Sequence, residues 1–282
     1  MEREKITVTD LLDMKKEGKK IVAISLYDYP TACFADKAGV DVILVGDGSV
    51  GMTALGYSST VPVTMDEMIT FCKAVVRGVK RSLILADMPF MSYQTVEEAL
   101  RNAGRFMKET GVDAVKLEGG KEMSDRLKAI SEAGIPVVGH IGLTPQTASL
   151  AGGYKVQGKT AQSGRRIIED SAVLQDSGAS AIVLEFTTAE VARLVSRRLK
   201  IPTIGWGSGP HCDGVGLNIS DILGFSLGLV PRFAKQYANL HDTAVTALAS
   251  YRLDVQEGRF PEEVHSTHMD KAEYENLLRE TA

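Results

Sequence analysis

Between residue 20 and about residue 230, short runs that are apolar almost throughout alternate with longer stretches whose apolar residues return at helical spacing. The runs are IVAISLYD (21–28), VDVILVGD (40–47), SLILADM (82–88), DAVKLEG (113–119), IPVVGHIG (135–142), SAIVLEF (180–186) and IPTIGWG (201–207). An eighth, VGLNI (215–219), is weaker because Gly214 and Gly216 dilute it. Between them lie helix-like stretches such as MDEMITFCKAVVRGVK (65–80), TVEEALRNAGRFMKETG (95–111) and TAEVARLVSRRL (188–199). The second opens with Thr95 as N-cap, has Glu98 three residues on to complete a capping box, and stops at Gly111. Thr64 and Glu67 repeat that box at the start of the first.

Strands apolar on both faces belong to a parallel sheet covered by helices. Repeated βα units in this number predict an α/β fold, a closed (β/α)8 TIM barrel, over an open sheet. The stretch DTAVTALASYRLDVQEGRFPEEV (242–264) reads as C-terminal helices on the outside. With no linker, repeat or low-complexity segment, the expectation is one domain over residues 1–282.

Composition narrows the class. A net charge of −4 with no basic stripe speaks against a nucleic-acid partner, and no apolar run reaches membrane-spanning length. The three cysteines, Cys33, Cys72 and Cys212, are far apart and form no CxxC pair, which disfavours a zinc site or a disulfide framework. Together with an N-terminus lacking a signal-peptide core, this predicts a cytoplasmic protein.

The chemistry collects where the runs end. Asp47, Asp87, Lys116, Glu118, His140, Glu185 and Trp206 all fall at C-terminal strand ends, where such barrels build their sites. Any one of them alone reads as a strand end turning polar at the surface; the whole ring reads as a shared cavity. Asp47 and Asp87, on neighbouring strands, repel unless a proton or a cation lies between them. A hard cation held by one or two carboxylates, with water and substrate completing its shell, is Mg2+. Lys116 and Glu118 are two residues apart and point to one side of a strand. Facing the cavity, Lys116 can neutralise developing charge and Glu118 can hold a metal-bound water; the competing reading is an ion pair stacked inside the barrel. Glu185, across the ring in an apolar mouth, suits a general base. A metal that chelates a 2-oxo acid opposite a base makes an enolate.

Two loops are weighed differently. HIGLTPQTASLAGGYKVQGKT (140–160) carries His140, paired glycines and Lys155, but GGYKVQG is no phosphate loop and reads as a long lid. GYSSTVPVTMDEM (56–68) reads as structural.

With these residues in view, the sequence resembles the ketopantoate hydroxymethyltransferase (3-methyl-2-oxobutanoate hydroxymethyltransferase) family over nearly its whole length. The resemblance is carried, in order, by YDYPTA, LVGDGSVGM, STVPVTMDEM, LADMPFMSY, VKLEGG, GHIGLTPQ, GGYKVQGK, VLE, PTIGWGSG with CDG, PRFAKQY and EVHS. It implies a barrel of the phosphoenolpyruvate mutase/isocitrate lyase kind, assembled as a homo-oligomer, typically a decamer. It further implies Mg2+ and a one-carbon unit taken from 5,10-methylenetetrahydrofolate in pantothenate synthesis. By that resemblance Asp47 and Asp87 bind Mg2+ directly, Glu118 does so through water, Lys116 contacts the substrate and Glu185 accepts the proton. His140 joins the substrate-binding set.

Three departures stand out. The family pattern VGDSLGM, whose serine contacts the substrate carboxylate, reads VGDGSVGM here. It is one residue longer, so either Ser49 reaches the substrate through a bulge or Gly48 offers its N–H. The bulge is the preferred expectation, since glycine permits unusual backbone angles. Trp206 stands where a small aliphatic residue is common, and GLNISD (216–221) replaces a run like VLVMHD, putting Ser220 for a histidine. These leave room for a paralogue acting on a related 2-oxo acid. A carbon–carbon lyase of the isocitrate lyase type is the enzyme rival, although no cysteine here sits in its Lys-Cys-Gly-His loop. A catalytically silent barrel is the rival of another class.

Overall fold

The apolar runs become the staves of a closed barrel. In this computed structural model, which describes residues 4–150, 152–228 and 230–281, eight strands pair in chain order and the last returns to the first. They are β1 (Ile21–Ser25), β2 (Val42–Val45), β3 (Leu83–Asp87), β4 (Ala114–Glu118), β5 (Val137–Gly142), β6 (Ala181–Glu185), β7 (Thr203–Trp206) and β8 (Gly214–Asn218). Every pairing is parallel. The (β/α)8 expectation is met, including its weakest strand: β8 pairs with β1 over five residues, Ile21↔Gly214 to Ser25↔Asn218.

Alternation along each strand builds two apolar layers. Inward positions such as Ala23, Leu44, Leu85, Val138, Val183 and Ile204 fill the barrel. Outward positions such as Ile43, Ile84, Val115 and Ile182 pack under the helices with Met68, Phe106 and Leu127. The helices begin and end where the local signals place them. Met65–Gly78 and Val96–Thr110 both carry full capping boxes, from Thr64 with Glu67 and from Thr95 with Glu98. Gly111 closes the second in a left-handed turn at φ 79°. Observed β1 stops three residues before the apolar run does, because Asp28 caps the next helix, accepting from the Thr31 N–H at 2.9 Å.

The chain divides into two compact units, Met1–Tyr237 and Ala238–Ala282. The first is the barrel. The second contains a helix at Leu240–Gln256, within the stretch read as helical, and another at Lys271–Thr281, beyond it, with Phe260 stacking near Tyr251 and His265 between them.

Stability of the barrel should separate buried volume from end effects. Phe106 is fully buried, so Phe106→Ala should cost about 3–5 kcal/mol, whereas Thr95→Ala, which removes only a cap, should cost about 1 kcal/mol. Urea unfolding of the two variants checks the order; equal losses would contradict it.

Candidate active site

Each candidate side chain is placed by the strand that ends in it. Asp87 closes β3, Glu118 closes β4, and Glu185 closes β6, while Lys116 and His140 stand two residues before the ends of β4 and β5. Asp47 lies two residues beyond β2, and the turn that brings it inward needs Gly46. A Cβ there would lie 2.6 Å from Ser25 Oγ. The Asp47 N–H then donates to Asp87 Oδ2 at 3.2 Å. Asp47, Asp87, Lys116, Glu118 and His140 are all buried, and Glu185 is the more open carboxylate, its side chain 24% exposed.

These groups form one connected array. Lys116 Nζ lies 2.5 Å from Asp87 Oδ1 and 2.9 Å from His140 Nδ1. The contact with Asp87 lacks hydrogen-bond alignment and leaves that oxygen without a bonded partner. His140 sits between two carboxylates, with Nδ1 3.4 Å from Glu118 Oε1 and Nε2 3.1 Å from Glu185 Oε2. At 2.9 Å the Lys116 ammonium can donate only to an unprotonated Nδ1. That contact favours a ring unprotonated at Nδ1, whereas Glu118 and Glu185 favour the charged imidazolium, so the two influences on His140 oppose each other.

Burial sets the electrostatics. It pushes Asp47 well above the usual carboxylate range, helped by Asp87 and Glu118 and opposed by Lys116 and a hydrogen bond from Gln146. Burial raises Asp87 too, with Lys116 pulling the other way. For Lys116, burial pushes down, but Asp87, Glu118 and Asp47 outweigh it and hold the ammonium charged. Burial and Lys116 lower His140, yet Glu118 and Glu185 bring it up to about 9.

Two residues outside the predicted set tie the array together. Gln146 is buried in the Pro145–Thr147 turn after β5. Its side-chain amide donates to Asp47 Oδ2 at 2.8 Å and to the Met88 carbonyl at 2.9 Å, and its backbone N–H donates to Glu118 Oε2 at 3.0 Å. Tyr93 donates to Gln146 Oε1 at 2.5 Å and accepts from the Glu118 N–H at 3.4 Å. Both occur in quoted motifs, LADMPFMSY and GHIGLTPQ, but in loops whose polar residues carry no periodic signal.

The lengthened loop after β2 resolves into a π-helix over Ser49–Ala54, the form one extra residue takes in a helical turn. Ser49 is buried with its hydroxyl 2.8 Å from Ser25 Oγ. Gly48 has ordinary right-handed helical angles, φ −63° and ψ −44°, so it is not needed for an unusual conformation. A Cβ on it would meet only Thr60 Cγ2 at 3.8 Å. The tight glycine is Gly51, whose Cβ would lie 2.5 Å from Val63. Opposite, the GGYKVQG loop crosses toward this helix, with the Tyr154 hydroxyl 4.0 Å from Met52 Sδ. Burial, then Glu185, Asp47 and Glu118, raise the Tyr154 phenol.

The donor set fits a hard divalent cation. Asp47 and Asp87 are adjacent buried carboxylates, joined through the Asp47 N–H to Asp87 Oδ2, with a third buried acid, Glu118, nearby and one ammonium, Lys116, among them. Among the described residues no three His, Cys, Asp or Glu side chains converge as ligands. In such a site Asp47 and Asp87 would be the direct oxygen ligands, leaving the other positions to water and substrate, as Mg2+ prefers.

A barrel whose mouth gathers buried carboxylates, a charged lysine and one more open carboxylate is built to handle negative charge beside a carbonyl. In fold the chain is similar to solved barrels, one of them described as a phosphoenolpyruvate mutase/isocitrate lyase superfamily member. Phosphonopyruvate hydrolase in complex with oxalate and Mg2+ aligns at TM-score 0.61 and 12% identity, covering 98% of this chain and 96% of that one. A 2,3-dimethylmalate lyase aligns at TM-score 0.58 and 13% identity, covering 98% and 100%. At such identities the likeness is one of fold. Residues 5–263 match the family described as ketopantoate hydroxymethyltransferase, and the chain belongs to that family. It is 52% identical over 267 residues to the 3-methyl-2-oxobutanoate hydroxymethyltransferase of Carboxydothermus hydrogenoformans, covering 94% of this chain and 96% of that protein. The protein of the same name from Moorella thermoacetica is also 52% identical, covering 94% and 98%.

The bridging role of Gln146 is open to test. Gln146→Leu keeps its bulk but removes the bond to Asp47 and leaves Tyr93 without its acceptor. Urea unfolding should show a loss of about 1–3 kcal/mol. Parental stability would mean that Asp47 does not depend on the amide.

Proposed function

We propose that the protein transfers a hydroxymethyl group from 5,10-methylenetetrahydrofolate to 3-methyl-2-oxobutanoate, giving 2-dehydropantoate for pantothenate and coenzyme A synthesis. Family membership supports the overall reaction. The observation that carries the mechanism is the position of Glu185, the more open carboxylate, across His140 from the buried lysine and carboxylates.

In this reading Glu185 takes the proton from C3 of the 2-oxo acid. His140 Nε2, 3.1 Å from it, sets the positive charge of the ring beside the carboxylate and steadies it. Lys116, kept charged by Asp87, faces the oxygen on which negative charge develops and stabilises the enolate. The carbon nucleophile bonds to the methylene carbon of the folate as the first of its two carbon–nitrogen bonds breaks. Water then displaces the second nitrogen and leaves its hydroxyl on that carbon. The two nitrogens keep the bonding electrons and take up the C3 proton and one proton of the water. Asp47 and Asp87 would hold Mg2+ directly and Glu118 through water; when bound, it supplies Lewis-acid polarisation of the keto oxygen. Ser49, braced on Ser25, and the helical N–H at Gly48 are the groups proposed for the substrate carboxylate.

Two further features belong to the proposal. The chain works in the cytoplasm, where thiols stay reduced; no helix among the described residues is long and apolar enough to cross a membrane. It assembles as a homo-oligomer, a decamer by family resemblance. A lyase using a nucleophilic cysteine is disfavoured, because Cys72 and Cys212 are buried thiols whose ionisation is pushed up by burial.

Exchange of the C3 hydrogen with solvent deuterium isolates the first step. Glu185→Gln should slow it by about 10²–10⁴-fold while the 2-oxo acid still binds; exchange at the parental rate would remove Glu185 as the base. Asp87→Asn, which leaves a neutral partner beside Lys116, should abolish Mg2+-dependent formation of 2-dehydropantoate in a product assay. Full turnover by that variant would overturn the metal assignment.

A further inference from the structure

Resting on the reading of Glu185 as the base, one more residue can be tied to the choice of substrate. A base that takes the C3 proton must come within contact of C3, so the alkyl groups on C3 lie against the immediate neighbours of Glu185. The neighbour in register on the next strand is Trp206, at the end of β7 as Glu185 is at the end of β6.

Trp206 belongs to the inward-facing set with Ile204, Val183 and Leu44, and it is only 6% exposed. Ile204 lies deeper on the same strand and face, so the indole is the last apolar layer before the polar mouth. Its six-membered ring spreads sideways over β8, where Cζ2, Cη2 and Cζ3 occupy the space a Cβ on Gly216 would need. β8 also lacks a side chain at Gly214, whose Cβ would lie 2.7 Å from the Ile21 carbonyl. The indole thus fills the space left at Gly216, while Ile21 takes that beside Gly214.

The ring is also tied to the base through the backbone. The Phe186 N–H donates to the Trp206 carbonyl at 2.7 Å, and the Phe186 carbonyl accepts from the Gln157 N–H at 2.8 Å. Phe186 itself holds φ 48°, a left-handed conformation uncommon for a bulky residue and sustained only where its surroundings fix it. The Glu185 carbonyl, in the same peptide unit as the Phe186 N–H, accepts from the Leu143 N–H at 2.8 Å, so the unit that joins Glu185 to Trp206 is bonded on both sides.

We propose that Trp206 is a specificity-determining residue. Its indole forms the apolar floor beside Glu185, receives the small alkyl groups on C3 of a branched 2-oxo acid, and excludes larger ones. A pocket wall of this kind distinguishes one methylene by about 10- to 200-fold.

The test compares C3 deuterium exchange for 3-methyl-2-oxobutanoate and 3-methyl-2-oxopentanoate, which differ by one methylene, in the intact protein and in Trp206→Leu. The variant should shift the ratio of kcat/KM toward the larger acid by about tenfold or more, with most of the change in KM. If Trp206→Leu does not fold, Trp206→Phe keeps an aromatic floor and should shift the ratio the same way to a smaller extent. An unchanged ratio in a folded, active variant overturns the role of Trp206 alone. Absence of exchange with either acid in the parent protein overturns the functional reading on which this inference rests.

Discussion

Everything in the barrel mouth answers to one constraint: three carboxylates, Asp47, Asp87 and Glu118, are buried beside a single lysine. Taking such charges out of water is expensive, and the attraction of one ammonium does not offset three carboxylates. Asp47 carries the imbalance, held well above the usual carboxylate range by burial and by its two acidic neighbours. A proton or a cation has to complete the set. In the proposed reaction that same deficit does the chemical work, because a site short of positive charge draws in the metal that the enolate then requires.

The fold positions the arrangement by spreading the charges over neighbouring strands. β3, β4 and β5 deliver Asp87, Lys116 with Glu118, and His140 from adjacent positions, in register Asp87↔Lys116 and Glu118↔His140. No strand bears more than it can anchor, and the apolar layers below are continuous. Neutral groups then fix the oxygens. Gln146 bridges Asp47, Glu118 and Tyr93 without adding charge, which is why an amide rather than an acid suits that position.

Much of this was legible in the sequence, for identifiable reasons. Apolar runs ending in a polar residue mark strands meeting a cavity, and Thr–x–x–Glu boxes mark helix starts; both signals are local, and both appear where they were read. What escaped was long-range or irregular. Gln146 and Tyr93 are polar loop residues 53 positions apart that meet only in the fold. The π-helix at Ser49–Ala54 comes from one added residue, and its glycine at 48 turned out to be conformationally ordinary. Trp206 and the glycine-rich eighth strand look like separate departures from the family pattern, yet in space the ring lies on Gly216, and the two are one packing feature.

The account turns on uncompensated negative charge at Asp47, and thermal unfolding with and without Mg2+ tests it most directly. Asp47→Asn removes the charge while its oxygen can still accept from Gln146. In the absence of metal the variant should melt at a higher temperature than the parent protein. Added Mg2+ should raise the melting temperature of the parent, as a ligand bound only by the folded state does, and leave the variant unchanged. A variant that melts lower without metal, and gains as much from Mg2+ as the parent does, would contradict the account.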